Sequence, residues 1–309
     1  MAISETKVCQ SCQITFEIDA QDFQFYEKME VPPPTWCPQC RAVRRMSFWN
    51  EHELFRKKEA NEGREIFSTY PEEAAIKIYD HDYWWSDKWD PFLYGKDYDF
   101  SRSFFEQYRE MIMKMPWPSR SIRGLVNSDY CNQVSYLKNC YLCFNGNYGE
   151  DCLYGSGFQQ MKISVDFYWS MTSELSYELS FCDGMYHCFF SVHSGDCRDS
   201  WFLMDCVDCS DCFGCIGLRH KQYYIFNVPY TKEEYAKKIK EFNLVSHDAL
   251  ARIKKVVYDF WLKFPRKYMH GVRNENVSGD YIYSSRNCKH VFQGSGMDNV
   301  RYSQNMGSG

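Results

Sequence analysis

The sequence predicts a mainly β protein with a repetitive body, and three observations carry that prediction. Two Cys-x-x-Cys pairs stand near the N-terminus, Cys9/Cys12 and Cys37/Cys40. From Cys131 to Leu218 every third residue is small or apolar. Between 231 and 268 two capped, amphipathic segments break that pattern, which resumes after Gly271. The composition allows this. The chain has 309 residues, 18% of them aromatic, ample apolar payload for several packed segments. A formal charge of −5 argues against coating nucleic acid along the whole length. No apolar run is long enough to span a bilayer, and the opening MAISETKVCQSCQ carries no basic or apolar leader. A cytoplasmic location is expected, and with it reduced thiols. The 16 cysteines then read as metal ligands or small core residues.

Each Cys-x-x-Cys folds into a tight knuckle that aims two thiolates at one point. Two knuckles complete a tetrahedral S4 site, which Zn2+ takes as a structural ion with no open position. One structural zinc is expected on Cys9, Cys12, Cys37 and Cys40. The 24 residues between the pairs suit a β-hairpin excursion with a proline-stiffened return. A redox pair would need a thioredoxin-like context that is missing. The second knuckle runs on as CRAVRRMSFWNEHELFRKK, read as a basic helix. Trp36 to Lys58 holds six basic and two acidic residues. Arg41, Arg44, Arg45, Trp49, Lys57 and Lys58 are therefore candidate contacts to nucleic-acid phosphates and bases. The plainer reading is a solvated face whose aromatics pack on the next segment.

In the middle, eleven cysteines between 131 and 215 share one triplet register. Its thirty positions from Cys131 to Leu218 hold no charge, no Asn and no Gln, while the segment as a whole holds eleven acidic and three basic residues. Helices repeat at 3.6 and simple strands at 2, so a sustained period of three fits a coiled stack of short strands and corners. A turn of twelve residues would stack Cys140, Cys152, Ser164, Ser176, Cys188, Ser200 and Cys212. Asn or Asp often precedes the cysteine (Asn139, Asp151, Asp196, Asp205, Asp208, Asp211), which suits left-handed corners. The competing reading takes Cys206, Cys209, Cys212 and Cys215 as an iron–sulfur run or second zinc site. Leu179 and Met185 share the register with Cys182 and Cys188, which is how packing behaves.

Thr231 to Glu234 is a capping box, and Ser246 caps a second helix stopped by Pro265. Residues 231–268 hold ten basic and five acidic side chains, so docking on the acidic body is expected, with a phosphate surface as the alternative. Before the body, 101–115 reads as an amphipathic helix with Phe104, Phe105, Tyr108 and Met111 or Ile112 inward. Asp80, His81 and Asp82 read as a polar turn beside a Trp-rich core or, less simply, a metal site. The expected fold class is thus mainly β: an N-terminal zinc ribbon, an aromatic-rich α/β linker region, and a Cys-rich β-solenoid interrupted by a helical hairpin. The segments are 1–58, zinc ribbon with basic helix; 59–126, aromatic-rich linker; 127–230, β-solenoid; 231–270, basic helical insertion; and 271–309, resumed solenoid. The register still runs at the C-terminus, which reads as a truncated end.

Several stretches are distinctive: YEKMEVPPPTWCPQCRAVRR, NEHELFRKK, YWWSDKWDP, FFEQYRE, CFGCIGLRHKQYYIFNVPYTKEEY and NVSGDYIYSSRN. With the first Cys-x-x-Cys, they make the chain resemble, over nearly its whole length, a family of cysteine-rich zinc-ribbon proteins from uncultivated, small-genome bacteria of candidate phyla. The resemblance implies the four ribbon ligands and the layout, and carries no activity. Relatives often hold a second Cys-x-x-Cys pair where this chain has Glu59-Ala-Asn-Glu62 and Tyr79-Asp-His-Asp82.

The expected function is a non-enzymatic zinc-binding scaffold or interaction protein whose partner is a protein or a nucleic acid, with oligomeric state left open. The first alternative is RNA binding through the basic ribbon flank. The second is an enzyme, either carbohydrate-active through the row Asp196, Asp199, Asp205, Asp208 and Asp211, or an iron–sulfur redox protein.

Overall fold

A computed structural model describes residues 4–48 and 50–307. The chain divides into two compact units, Met1–Asn50 with Pro265–Gly309, and Glu51–Phe264. The N-terminal cysteine module groups with the C-terminal strands.

In the first unit, strands Glu5–Val8 and Thr15–Ile18 pair antiparallel. The residues after them do not complete the expected hairpin. Asp19 accepts the Asp22 N–H at 2.8 Å and caps a helix over Ala20–Lys28. Cys37 caps the next helix, Pro38–Met46. Four parallel strands, Gly271–Val272, Glu275–Tyr283, Arg286–Ser295 and Arg301–Met306, form the other half. A bulge between Val277 and Gly279 moves their pairing from eleven residues apart to twelve. Gly279 lies at φ +132°, and a Cβ there would fall 1.7 Å from the Val291 carbonyl oxygen, so only glycine fits. The halves are joined by charge. The buried Asp22 carboxylate takes Arg301, the Lys289 ammonium at 3.2 Å and the Tyr302 hydroxyl at 2.6 Å, and Lys289 also reaches Asp19.

In the second unit, nine strands from Ile122–Arg123 to Val228–Pro229 form one sheet whose spatial order is the chain order. All pairings but the last are parallel, with partners twelve residues apart, as in Tyr177↔Phe189 and Cys188↔Ser200. Every third residue from Gln133 to Phe226 has φ between +46° and +70°. As far as Gly217, each of these directly precedes a residue of the apolar register. For L-residues this conformation costs about 1–2 kcal/mol apiece. The cost is met by hydrogen bonds: Asn139, Asp151 and Asp196 each donate their N–H to the carbonyl thirteen residues back at 2.9 Å. Tyr136, Ile163, Trp169 and Phe202 take the same conformation, so the corner does not require Asn or Asp.

The capping box at Thr231 and Glu234 is formed, and helices Lys232–Glu241 and His247–Trp261 pack on the sheet. The contact is mostly apolar. Phe242 stacks on Phe213 at 4.2 Å, Phe260 meets Phe226 at 5.1 Å, and Tyr235, Val257 and Trp261 are buried. Lys254 adds an ion pair to Glu178 at 2.7 Å.

The helix Phe104–Lys114 forms as expected, but facing the other way. Its buried residue is Gln107, whose side chain bonds both the N–H and the carbonyl of Asp99 at 2.8 and 2.9 Å. That polar clamp turns Phe104, Phe105, Tyr108 and Met111 to solvent, leaving Ile112 half-buried.

Candidate metal centre

The Sγ atoms of Cys9, Cys12, Cys37 and Cys40 lie within 4.8 Å of one another, and this group can hold a metal ion. Local structure brings them there. After strand Glu5–Val8, the Cys9 N–H donates to the Ile14 carbonyl and the Gln13 N–H to the Cys9 carbonyl, both at 3.0 Å, with Gln13 at φ +62°. The Gln10 N–H donates to the Thr35 carbonyl at 3.0 Å, which sets the second knuckle against the first. The geometry fits the ion the spacing implies. Metal–sulfur bonds of about 2.3 Å in a tetrahedron require sulfurs about 3.8 Å apart. Cys12 and Cys37 have that separation, 3.8 Å. Burial opposes ionisation of Cys9, but N–H groups of Cys12, Cys37 and Ser11 outweigh it and bring its pKa down to about 6. At Cys40 the Ser11 hydroxyl favours the thiolate, yet Cys12, burial, Cys37 and Cys9 together push the pKa up to about 12. Four thiolates this close repel one another, and a divalent cation removes that conflict.

The body cysteines are used differently. Their thiols point back to the carbonyl two residues earlier: Cys188 to Tyr186 at 3.4 Å, Cys197 to Gly195 at 3.1 Å, Cys206 to Met204 at 3.4 Å. Serines of the same register do likewise, as Ser173 to Met171 at 2.7 Å and Ser200 to Arg198 at 2.7 Å. The same atoms also accept an N–H from twelve residues ahead. Ser176 takes that of Cys188 at 3.3 Å, Ser200 that of Cys212 at 3.0 Å, and Cys182 and Cys188 those of Ser194 and Ser200. Each side chain is thus a relay between successive strands. Cys and Ser supply this relay with a short side chain that both donates and accepts, while Leu137, Met161, Leu179, Met185 and Leu203 fill other positions of the register as plain packing groups. Burial pushes the Cys182 and Cys188 thiols up to about 12. Cys209 receives hydrogen bonds from the sulfurs of Cys197, Cys206 and Cys212, which lowers its pKa and raises theirs. Among the described residues the four N-terminal cysteines are the one group of His, Cys, Asp or Glu side chains gathered closely enough to share an ion.

The basic residues read as one helix are separated. The helix stops at Met46, and Phe55–Lys58 is a strand paired with Glu65–Ser68. A strand alternates faces, so Lys57 points opposite to Arg56 and Lys58. Lys57 is 8% exposed and donates to the carbonyls of Pro71, Glu72 and Ala74 at 3.0, 3.1 and 2.6 Å, which removes it from any nucleic-acid surface. Arg41 lies over the Tyr302 ring at 4.9 Å, Arg45 donates to the Tyr302 carbonyl at 2.9 Å, and Arg44 covers Trp36 at 5.4 Å. Trp49 lies outside the described residues.

The segment where the resemblance implies a second Cys-x-x-Cys pair, at 59–62 and 79–82, has a related backbone. Residues 55–84 repeat the cysteine module with its sulfurs replaced. Phe55↔Ser68 to Lys58↔Glu65 reproduces Glu5↔Ile18 to Val8↔Thr15, fifty residues on. The Glu59 N–H donates to the Arg64 carbonyl, Gly63 to Glu59 and Ala60 to Ile78, as Cys9, Gln13 and Gln10 do in the first module, and Gly63 lies at φ +71°. Asp80 caps the short helix His81–Trp84, as Cys37 caps its own. Glu59, Glu62, Asp80 and Tyr83 therefore stand where the four cysteines stand, one residue beyond Tyr79 and Asp82 at the second knuckle. The buried Glu59 carboxylate accepts the Asn61 and Glu62 N–H groups at 3.1 and 2.9 Å. Arg64 sits 3.8 Å from Asp80. The available signal was the pairing of Cys9-Gln-Ser-Cys-Gln13 with Glu59-Ala-Asn-Glu-Gly63.

The acidic row occupies corners. Asp196, Asp199, Asp205, Asp208 and Asp211 all have φ near +50°. Asp199 holds His187 at 2.8 Å, Asp208 holds His220 at 2.6 Å, Asp205 holds Arg219 at 3.3 Å and Asp211 accepts from Gln222 at 3.2 Å. Asp80 accepts the Asp82 N–H, and the Nδ1 of His81 is buried without a hydrogen-bond partner, a polar turn without a ligand geometry. Among the described residues no helix is long and apolar enough to cross a membrane. No family model matches the chain, and no curated protein matches it either.

Proposed function

We propose that this protein is a non-enzymatic scaffold, in which one zinc ion on Cys9, Cys12, Cys37 and Cys40 fixes a ribbon and a β-solenoid forms the body. Twelve-residue pairing with a left-handed residue in every third position supports a coil of four triplets per turn. The observation that carries the reading is the relay: the body's thiols and hydroxyls are spent holding one strand to the next, which makes the interior a packed structural column. Metal analysis by mass spectrometry on protein purified without air tests it. One zinc per chain is expected, lost on Cys37→Ser with Cys40→Ser. Iron, or a zinc that survives this change, ends the reading.

A nucleic-acid partner is the second reading, now confined to the ribbon helix. One observation favours it: among the described residues Arg41, Arg44 and Arg45 touch rings and a carbonyl, with no carboxylate beside them. Arg44 and Arg45 are exposed and keep guanidinium donors for phosphate, while the Arg41 Nε is buried. Anisotropy with a labelled single-stranded RNA should show binding that weakens with salt, and Arg44→Ala should weaken it about tenfold. Salt-insensitive binding removes this reading.

A further inference from the structure

We infer that the groove bordered by the strands Thr15–Ile18 and Arg301–Met306 binds an extended peptide with apolar and acidic side chains, which adds to the first strand by main-chain hydrogen bonds. The inference rests on the ribbon reading, since Cys12, Cys37 and Cys40 also line the groove. The cavity measures about 1080 Å³ and lies inside the first unit. Thr15, Phe16 and Glu17 border it, and so do Tyr302, Ser303 and Gln304. Successive strand side chains point to opposite faces, so three consecutive residues border one cavity only where it runs along the strand's edge. Among the described residues each of these strands has a strand neighbour on one side only.

Both edges carry main-chain groups turned outward. The Cys9 N–H donates to the Ile14 carbonyl at 3.0 Å, one step beyond the pair Val8↔Thr15. Bonded pairs alternate in an antiparallel ladder, so Lys7 and Phe16 exchange hydrogen bonds while Thr15 and Glu17 aim their N–H and C=O groups away from the hairpin. On the other side, Lys289 gives its N–H to the Val300 carbonyl, eleven residues ahead, at 3.0 Å. Gln304 holds the same triplet position on the outermost strand, so its N–H points off the sheet. Such an edge is completed by another extended backbone. It presents as many acceptors as donors, which disfavours nucleic acid, whose phosphates only accept. A second folded copy is disfavoured because its own Thr15–Ile18 strand is walled in by the same groove.

The walls select the side chains. Ile14 and Val43 are 65% and 69% exposed and line the cavity with Phe16, Pro38, Ala42 and Phe292. An added strand presents every second side chain to them. Of the lining charges, Lys289 and Asp19 pair with each other. Arg45 donates to the Tyr302 carbonyl at 2.9 Å, and burial, then the charges of Arg41 and Arg44, push its pKa down. A carboxylate on the guest relieves that repulsion. The three guanidinium groups outnumber Glu17, the other lining acid.

Selection of phage-displayed linear peptides on the zinc-loaded full chain, then anisotropy with the labelled synthetic peptide, tests the assignment. The selected peptides should alternate apolar and polar residues, include Asp or Glu, and slow hydrogen exchange at Thr15 and Glu17. Val43→Asp and, separately, Glu17→Pro should each weaken binding about tenfold, the first by setting an acid on the wall and the second by removing an outward N–H. Circular dichroism and zinc content of both variants should match the wild type. Methylating every second amide of the peptide should weaken binding in one phase and spare it in the other, because a strand's donors alternate. Binding that is indifferent to the phase overturns the inference, as does the lack of any peptide that depends on Val43 and Glu17. Dimerisation lost in Glu17→Pro would assign the edge to a second copy, and RNA binding lost in Val43→Asp would assign the groove to nucleic acid; either overturns it. Zinc is measured in each arm: a chain without zinc fails the scaffold reading, whereas a zinc-loaded chain that binds no such peptide fails here alone.

Discussion

The modules at 5–46 and 55–84 share a hairpin, a left-handed knuckle and a capped second helix, yet they are closed by different chemistry. The first gathers four sulfurs within 4.8 Å. In the second, Glu59 caps its own knuckle through two N–H groups, Arg64 approaches Asp80, and the Lys57 ammonium draws in three carbonyls. The backbone path therefore does not require metal. What it requires is something that holds the two knuckles together, and charge-assisted hydrogen bonds can do so where the surrounding chain buries them. A metal site contributes its binding energy directly to folding, whereas the second module depends on the packing of its unit.

The largest expected effect follows from that difference. If the four cysteines hold the proposed zinc, its chelation should unfold the first module, since structural zinc sites contribute on the order of 10–16 kcal/mol. Hydrogen exchange should then rise across 5–46 and stay unchanged across 55–84. Equal loss of protection in both modules would break the comparison. A smaller effect is expected in the second module. Lys57→Met leaves three carbonyls without their donor and should lower stability by about 3 kcal/mol, read by chemical denaturation, with zinc content unchanged. The smallest effect lies in the body. Cys188→Ser keeps the relay to Tyr186 and Ser200, while Cys188→Ala loses it, so the serine variant should be the more stable by about 1 kcal/mol. If alanine proves the better substitute, the thiols are packing groups and the relay is incidental.

Much of this was legible in local sequence. The grouping of Cys9, Cys12, Cys37 and Cys40 was readable because two Cys-x-x-Cys pairs at this spacing converge on one point. The helix caps at Thr231 and Ser246 were readable because a cap is satisfied within one turn. Other features were not. The second module was visible only through the resemblance, and one residue out of place at its second knuckle, because its ligand positions changed residue type while the backbone stayed. The orientation of Phe104–Lys114 was misread because one buried glutamine outweighed four apolar side chains. Lys57 was misread because charge and burial were taken as exclusive, whereas three carbonyls reconcile them.

By itself the sequence showed the triplet register, since a slot that admits only small or apolar side chains every third residue records a recurring constraint on that position. It also determined which four cysteines gather. Only the tertiary structure decided which parts belong together: the ribbon joins strands some 270 positions away because Asp19 and Asp22 meet Lys289 and Arg301. Single charges carry no pattern along the chain, and their pairing exists only once folding has placed them side by side.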